Sequence, residues 1–215
     1  MIENQAKGTI LHEKLEKEVV FNISKLFALY GMTLGENLRH YWVDLLCLPG
    51  SLYTIEAGWQ NKKKFVLIHG FGANSLCFFR LIPFLAKNYH VYAFDLYGMG
   101  LSTRVKFDCE DSDEVLQKML LTIEEWRMTL KIEQFDILAH SFGAYLASHY
   151  VNLYEPKIGR LYLTSPAGFT KTSFKKEEDA EDNFNFIETY LYKTCMQEQK
   201  KTPFEVLGKN YLDQP

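Results

Sequence analysis

Apolar residues along this chain switch between two spacings. Four short stretches are apolar: Phe65-Val66-Leu67-Ile68, Val91-Tyr92-Ala93-Phe94 and Leu161-Tyr162-Leu163 without interruption, and residues 135–139 but for Asp136. A strand with one wet face alternates, whereas a strand covered on both faces does not. These runs predict a mostly parallel sheet between two layers of helices. Two further strands are expected at residues 41–47 and 52–56, joined by the turn chemistry of Pro49-Gly50-Ser51.

Elsewhere the spacing is helical. Leu116, Met119, Leu120, Ile123, Trp126 and Leu130 line one face of a helix. Asp111 can cap that helix, with Glu114 in the reciprocal position. Residues 141–154 predict another, with Pro156 just past its end. Near the start, Leu11, Leu15, Val19, Phe21, Ile23, Leu26, Phe27 and Tyr30 predict a helix with a broad apolar face. Its Lys and Glu residues are mixed, which suits packing on a domain better than lying on a membrane. The expected organisation is a helical extension over 1–40, an α/β core over 41–168, and a third region over 169–215. That last region is highly charged from 171 to 182, and Phe184, Ile187, Tyr190 and Leu191 follow at helical spacing. It reads as a solvated tail or the start of a lid.

Composition narrows the picture. A hydrophobic fraction of 47% over 215 residues suits one domain with a substantial core. A net charge of −3 gives no reason to expect nucleic acid as a partner. The 15% aromatic content fits a packed core before it fits an acyl groove, and Trp59 and Trp126 are expected to pack. Cys47, Cys77, Cys109 and Cys195 form no C-x-x-C pair, so neither a zinc site nor a disulfide framework is expected. The N-terminal residues lack the apolar core of a secretory signal, and no apolar run is long enough to span a bilayer. The expected location is therefore intracellular, cytoplasmic or peripheral to membranes. Lys62-Lys63-Lys64, ahead of a buried strand, reads as a solvated turn rather than a headgroup site.

Candidate chemistry sits at the ends of the apolar runs. Ala139-His140-Ser141-Phe142-Gly143 follows one strand and opens a helix. That setting suits a nucleophile elbow, a turn tight enough to require small residues two places either side of Ser141. Ala139 and Gly143 meet the requirement. Such a turn lifts the Ser141 hydroxyl clear of the sheet at a helix N-terminus, where the Phe142 N–H can face a developing oxyanion. His69-Gly70-Phe71-Gly72 follows another strand, and in this arrangement the Phe71 N–H supplies the second donor. His69 reads as structural, because it precedes the nucleophile. The glycines of Asp95-Leu96-Tyr97-Gly98-Met99-Gly100-Leu101-Ser102 lack the third glycine of a dinucleotide fingerprint, so nucleotide binding is rejected. No cofactor and no metal are expected.

Together the three motifs resemble the α/β-hydrolase superfamily. Residues 122–127, Thr-Ile-Glu-Glu-Trp-Arg, with residues 92–96 and the elbow, resemble its abhydrolase-domain four and five subfamily. That subfamily includes lysophospholipid lipases and a lipase co-activator. The resemblance implies a serine lipase or esterase acting on acyl esters of phospholipids or related lipids, or an acyltransferase. It also implies a lipid or acyl-ester substrate and contact with a membrane or lipid-droplet surface. Members of the family follow the serine with an acid and then a histidine. After Ser141 the only histidine is His149, inside the next helix, and Asp179, Asp182 and Asp213 follow no recognisable strand. His90 and Asp95 match the spacing of the family's acyltransferase signature, but they lie along a strand, and the match is read as accidental. The chain is therefore expected to be truncated and nearly inactive alone. The alternative is a non-catalytic binding, regulatory or scaffold protein, with a protein partner completing or covering the sheet.

Overall fold

The computed structural model describes residues 17–18, 20–104, 111–154 and 158–168. The chain divides into two compact units, Met1–Gly168 and Phe169–Pro215. All described residues belong to the first, so the expected lid or tail over 169–215 lies outside them.

Among the described residues six strands form one sheet: β1 (Leu38–Asp44), β2 (Ser51–Ala57), β3 (Lys64–Ile68), β4 (His90–Phe94), β5 (Phe135–His140) and β6 (Ile158–Thr164). Their spatial order is β1-β2-β4-β3-β5-β6. β4, β3, β5 and β6 are parallel, while β2 pairs antiparallel with both β1 and β4. β6 forms one edge, and its Tyr162 is exposed.

Three of the four apolar runs have a core on both faces, whereas Leu161-Tyr162-Leu163 on β6 does not: Leu161 and Leu163 are half-buried and Tyr162 is exposed. Val66, Ile68, Tyr92, Phe94, Ile137 and Ala139 pack under α3 (Ser112–Thr129) and α4 (Phe142–Tyr154). Phe65, Leu67, Val91 and Ala93 pack under α1, helical over residues 20–28, and α2 (Leu81–Leu85). Ile23 and Phe27 of α1 are buried in that second layer, so the described part of the N-terminal helix packs on the domain, as its apolar face predicts. Its expected residues 11–16 lie outside the described part.

β1 begins earlier than expected and also ends earlier. Leu38 is fully buried opposite Ala57, which draws the strand back to residue 38. At the other end, Leu46, Cys47 and Leu48 leave the sheet because their N–H groups all donate to Glu125 Oε2, at 2.8, 3.0 and 3.2 Å.

That carboxylate belongs to a stretch of α3 that is buried all round. Asp111 caps the helix, its Oδ1 accepting from the Glu114 N–H at 2.9 Å. Residues 122–127 are then buried without a break, where helical spacing alone marks one stripe. The polar members make this burial tolerable because each finds a partner. Glu124 takes two hydrogen bonds from Arg127, from Nε and Nη2, both at 2.8 Å. It takes a third from the Tyr150 hydroxyl of α4 at 2.6 Å. Arg127 also donates to the Ile132 carbonyl. Trp126, fully buried, donates from Nε1 to Thr54 Oγ1 of β2 at 2.9 Å. Burial pushes the Tyr150 phenol well above its ordinary pKa, and the Glu124 carboxylate adds to the shift. The phenol therefore stays protonated and donates.

A buried ion pair is worth little net, but removing one member strands the other in a low-dielectric interior. Arg127→Leu should therefore lower unfolding free energy by about 3–5 kcal/mol, read from a urea melt. The double change with Glu124→Leu should recover much of that loss, because no charge is then left unpaired.

Candidate active site

β3 and β5 are neighbours and run in the same direction, so the loops that leave them meet. The loop after β3 carries His69, Gly70, Phe71 and Gly72. The turn after β5 carries Ser141. The backbone of Ser141 is left-handed, with φ 52°. A side chain is disfavoured there by about 1–2 kcal/mol, so its surroundings must hold the turn in place. They do so on both sides of the residue. The Ser141 N–H donates to the carbonyl of Thr164, the last residue of β6, at 3.0 Å. The Ser141 carbonyl accepts from Ala144 and Tyr145, starting α4, and from Ala167 at 3.2 Å.

Two glycines let the loop and the turn touch. A Cβ on Gly70 would lie 2.9 Å from Ser141 Cβ and 3.1 Å from His140 Nδ1. A Cβ on Gly143 would lie 2.7 Å from the Ile68 carbonyl and would also strike that of His69. Ala139 is fully buried, where a larger side chain would have no room. Ser141 itself is half-buried and His140 is exposed.

Phe71 and Phe142, the residues expected to offer oxyanion donors, flank the serine. Among the described residues neither backbone N–H is taken by a protein acceptor. Their rings meet edge to face, with centroids 6.3 Å apart. Gly72 turns the loop with φ 71° and open space around it.

His69 is fully buried and engaged on both nitrogens. Nδ1 lies 2.7 Å from the Gly70 carbonyl, and Nε2 accepts from the Leu96 N–H at 2.8 Å. Those partners define the neutral tautomer with the proton on Nδ1. Burial holds its pKa below the ordinary histidine value, outweighing the Gly70 carbonyl and Asp95. His69 thus ties the loop after β3 to the loop after β4.

Asp95 makes a second tie, which the sequence reading passed over. Its Oδ1 accepts from the Ser75 N–H at 2.6 Å and its Oδ2 from the Leu101 N–H at 2.8 Å. Gly100 is needed beside it, since a Cβ would run into that carboxylate. Ser102 completes the knot, donating to the Asp95 carbonyl and accepting from the Tyr53 N–H. The signal available was an acid directly after a buried strand and before a glycine-rich turn. It marks a carboxylate aimed at its own loop.

The remaining polar candidates are elsewhere. His149 is exposed on α4 against Tyr145. Eight residues separate it from Ser141, about 12 Å of helix rise. His90, at the start of β4, contacts Glu56 Oε1 at 2.6 Å, while Asp95 lies beyond the opposite end of the strand. Burial works to raise the Glu56 pKa, but hydrogen bonds from His90 and Tyr41 outweigh it and hold the carboxyl below its ordinary value. Among the described residues no group of His, Cys, Asp and Glu is arranged to hold a metal ion, and no helix is long and apolar enough to cross a membrane.

A strand, a left-handed serine and a helix, set beside a glycine loop from the neighbouring parallel strand, is the arrangement of the α/β hydrolase fold. The chain belongs to that family, whose model matches residues 63–212. It is similar to 1-acylglycerol-3-phosphate O-acyltransferase ABHD5 of Homo sapiens, with 37% identity over 56% of this chain and 34% of the relative. It is also similar to a probable 1-acylglycerol-3-phosphate O-acyltransferase of Oryza sativa, with 34% identity over 55% of this chain and 29% of the relative. The matched stretch is thus about a third of the length of these relatives. Among solved structures, serine hydrolase CCSP0084 from Cycloclasticus zankles superposes with a TM-score of 0.56 and 25% identity. That match covers 61% of this chain and 46% of the other.

Two substitutions test whether the turn is strained and closely packed. Ser141→Gly should raise unfolding free energy by about 0.5–1 kcal/mol, because glycine adopts this backbone without penalty. Gly143→Ala should lower it by about 1–3 kcal/mol through overpacking against the loop after β3. Thermal melts of both variants provide the measurement.

Proposed function

We propose that this chain carries the nucleophile of a serine acyl hydrolase or acyltransferase whose substrates are acyl esters of phospholipids or related lipids. The observation that carries the proposal is the left-handed Ser141 pressed against Gly70, with the Phe71 and Phe142 amides left for a ligand. In the proposed step the Ser141 oxygen attacks the ester carbonyl, and the two amides stabilise the negative charge that gathers on its oxygen. The alcohol leaves, and water or a second lipid hydroxyl takes the acyl group from the serine. The relatives support the lipid class: the human one is a 1-acylglycerol-3-phosphate O-acyltransferase and the rice one a probable 1-acylglycerol-3-phosphate O-acyltransferase. The solved neighbour supports serine chemistry.

A serine hydroxyl is a poor nucleophile at neutral pH without a base. In this fold the base comes after the serine in chain order, with the acid between them. His149 does not fit that role from its place on α4. Both groups must come from outside the described residues, and loss of either typically slows such a reaction by orders of magnitude.

One observation favours the rival reading of a binding or regulatory protein. Among the described residues β6 stands at one side of the sheet with an exposed Tyr162, and a strand edge of this kind invites pairing, by a partner or by later sequence. An alkyl fluorophosphonate separates the two readings. In the natural protein that carries this sequence, the reagent should modify Ser141, and Ser141→Ala should abolish the modification. A folded protein that stays unmodified would favour the binding role.

A further inference from the structure

The parallel strands have a second end, away from Ser141. There the loop before β3, the loop before β5 and the start of β6 enclose an open cleft of about 460 Å³. Lys62, Lys63 and Lys64 supply one side of it, and Arg160 joins them from β6. Pairing of β5 with β6 places Arg160 there, far along the chain from the lysines. Read in sequence, the three lysines are a solvated turn; folded, they are part of a four-cation wall.

The four cations outnumber the two carboxylates that line the cleft with them. Glu133 and Asp136 also line the cleft. Among the described residues, however, the ion pairs are His90–Glu56 and Arg127–Glu124, and neither involves these cations. Asp136 acts on Arg160 through space, while Tyr162 hydrogen-bonds it. The cleft floor is kept low by Gly159, where a Cβ would lie 2.5 Å from Asp136 Oδ1. General basicity does not explain the cluster, because the whole chain is acidic by three charges.

We propose that this cleft binds a phosphate group, gripped between the ammonium groups of Lys62 and Lys63 and the guanidinium of Arg160. A planar guanidinium offers paired donors to phosphate oxygens, and ammonium groups add charge without fixed geometry. An opening of this size takes a phosphate and leaves room for what it is attached to. The same chemistry is met by a phospholipid headgroup or by a free phosphate compound.

The test uses the chain with two probes. Sedimentation with phosphatidylcholine vesicles, with and without phosphatidic acid, reads headgroup binding. A titration with inorganic phosphate followed by amide NMR shifts reads free phosphate. Binding to the phosphatidic acid vesicles alone identifies a headgroup, whereas saturable shifts around Lys63 and Arg160 identify a soluble phosphate. In either case Lys62→Gln, Lys63→Gln and Arg160→Gln should each weaken binding about fivefold, while Lys25→Gln outside the cleft should not. All three cleft side chains are exposed, so circular dichroism should report an unchanged fold. Absence of binding to both probes would overturn the proposal. So would binding that the three substitutions leave intact.

Discussion

Everything around the candidate site depends on one backbone constraint. Ser141 must stay left-handed while two other segments crowd it. Its own N–H and C=O groups are used to hold it, through Thr164, Ala167 and the first turn of α4. The crowding is relieved only by the missing side chains of Gly70 and Gly143. Neither device is sufficient alone. Without the hydrogen bonds the turn would relax to an ordinary conformation, and without the glycines the loop after β3 would sit further away. The result is a turn and a loop in close contact, Ser141 against Gly70, held by the backbones of three neighbouring strands.

The loops are fixed in turn by polar groups that have left water. His69 and Asp95 each reach across to an adjacent loop, and both are buried. Further back, α3 is bolted to its surroundings by three successive residues. Glu124 reaches α4, Glu125 reaches the β1–β2 loop, and Trp126 reaches β2. Because α4 begins at the residue after Ser141, the Glu124–Tyr150 contact also sets how the helix following that serine lies on the sheet. These contacts add little net stability, since each buried charge has lost its hydration. Their effect is geometric: a buried carboxylate accepts few alternative arrangements, so the helices have few alternative positions.

Much of this was legible along the chain because burial on two faces leaves an unmistakable mark. The runs at Phe65, Val91 and Phe135 became parallel strands covered on both faces, the run at Leu161 became a parallel strand with Tyr162 exposed, and the small residues around Ser141 became the tight turn. Asp111 capped the helix it preceded. What the sequence hid were contacts between residues far apart. The bounds of β1 were misplaced because Glu125, a helix residue nearly eighty positions on, captures the amides of Leu46–Leu48. Asp95 was seen only as part of a glycine string. The six-residue run at 122–127 was recognisable as a resemblance, but its reason lay in three different neighbours. Helical periodicity marks a stripe and gives no sign that a whole turn is enclosed.

The direction of the strands organises the rest. Four parallel strands put all their carboxyl ends on one side of the sheet, so the loops after β3, β4, β5 and β6 converge there. That convergence explains why the half-buried serine, the histidine tie and the aspartate tie share a neighbourhood despite their separation in sequence. The amino ends converge on the opposite side for the same reason. There they gather cations where the carboxyl ends gather backbone donors, and no ion pair among the described residues quenches them. Antiparallel β1 and β2 serve both ends in turn: their shared turn meets the loop after β4, where Tyr97 donates to the Pro49 carbonyl, and the loop from β2 to β3 brings Lys62 and Lys63 to the other end. They also widen the sheet enough for α1 and α3 to cover it. The division is physical before it is functional: parallel pairing sorts chemistry to the two ends, and the antiparallel pair supplies area.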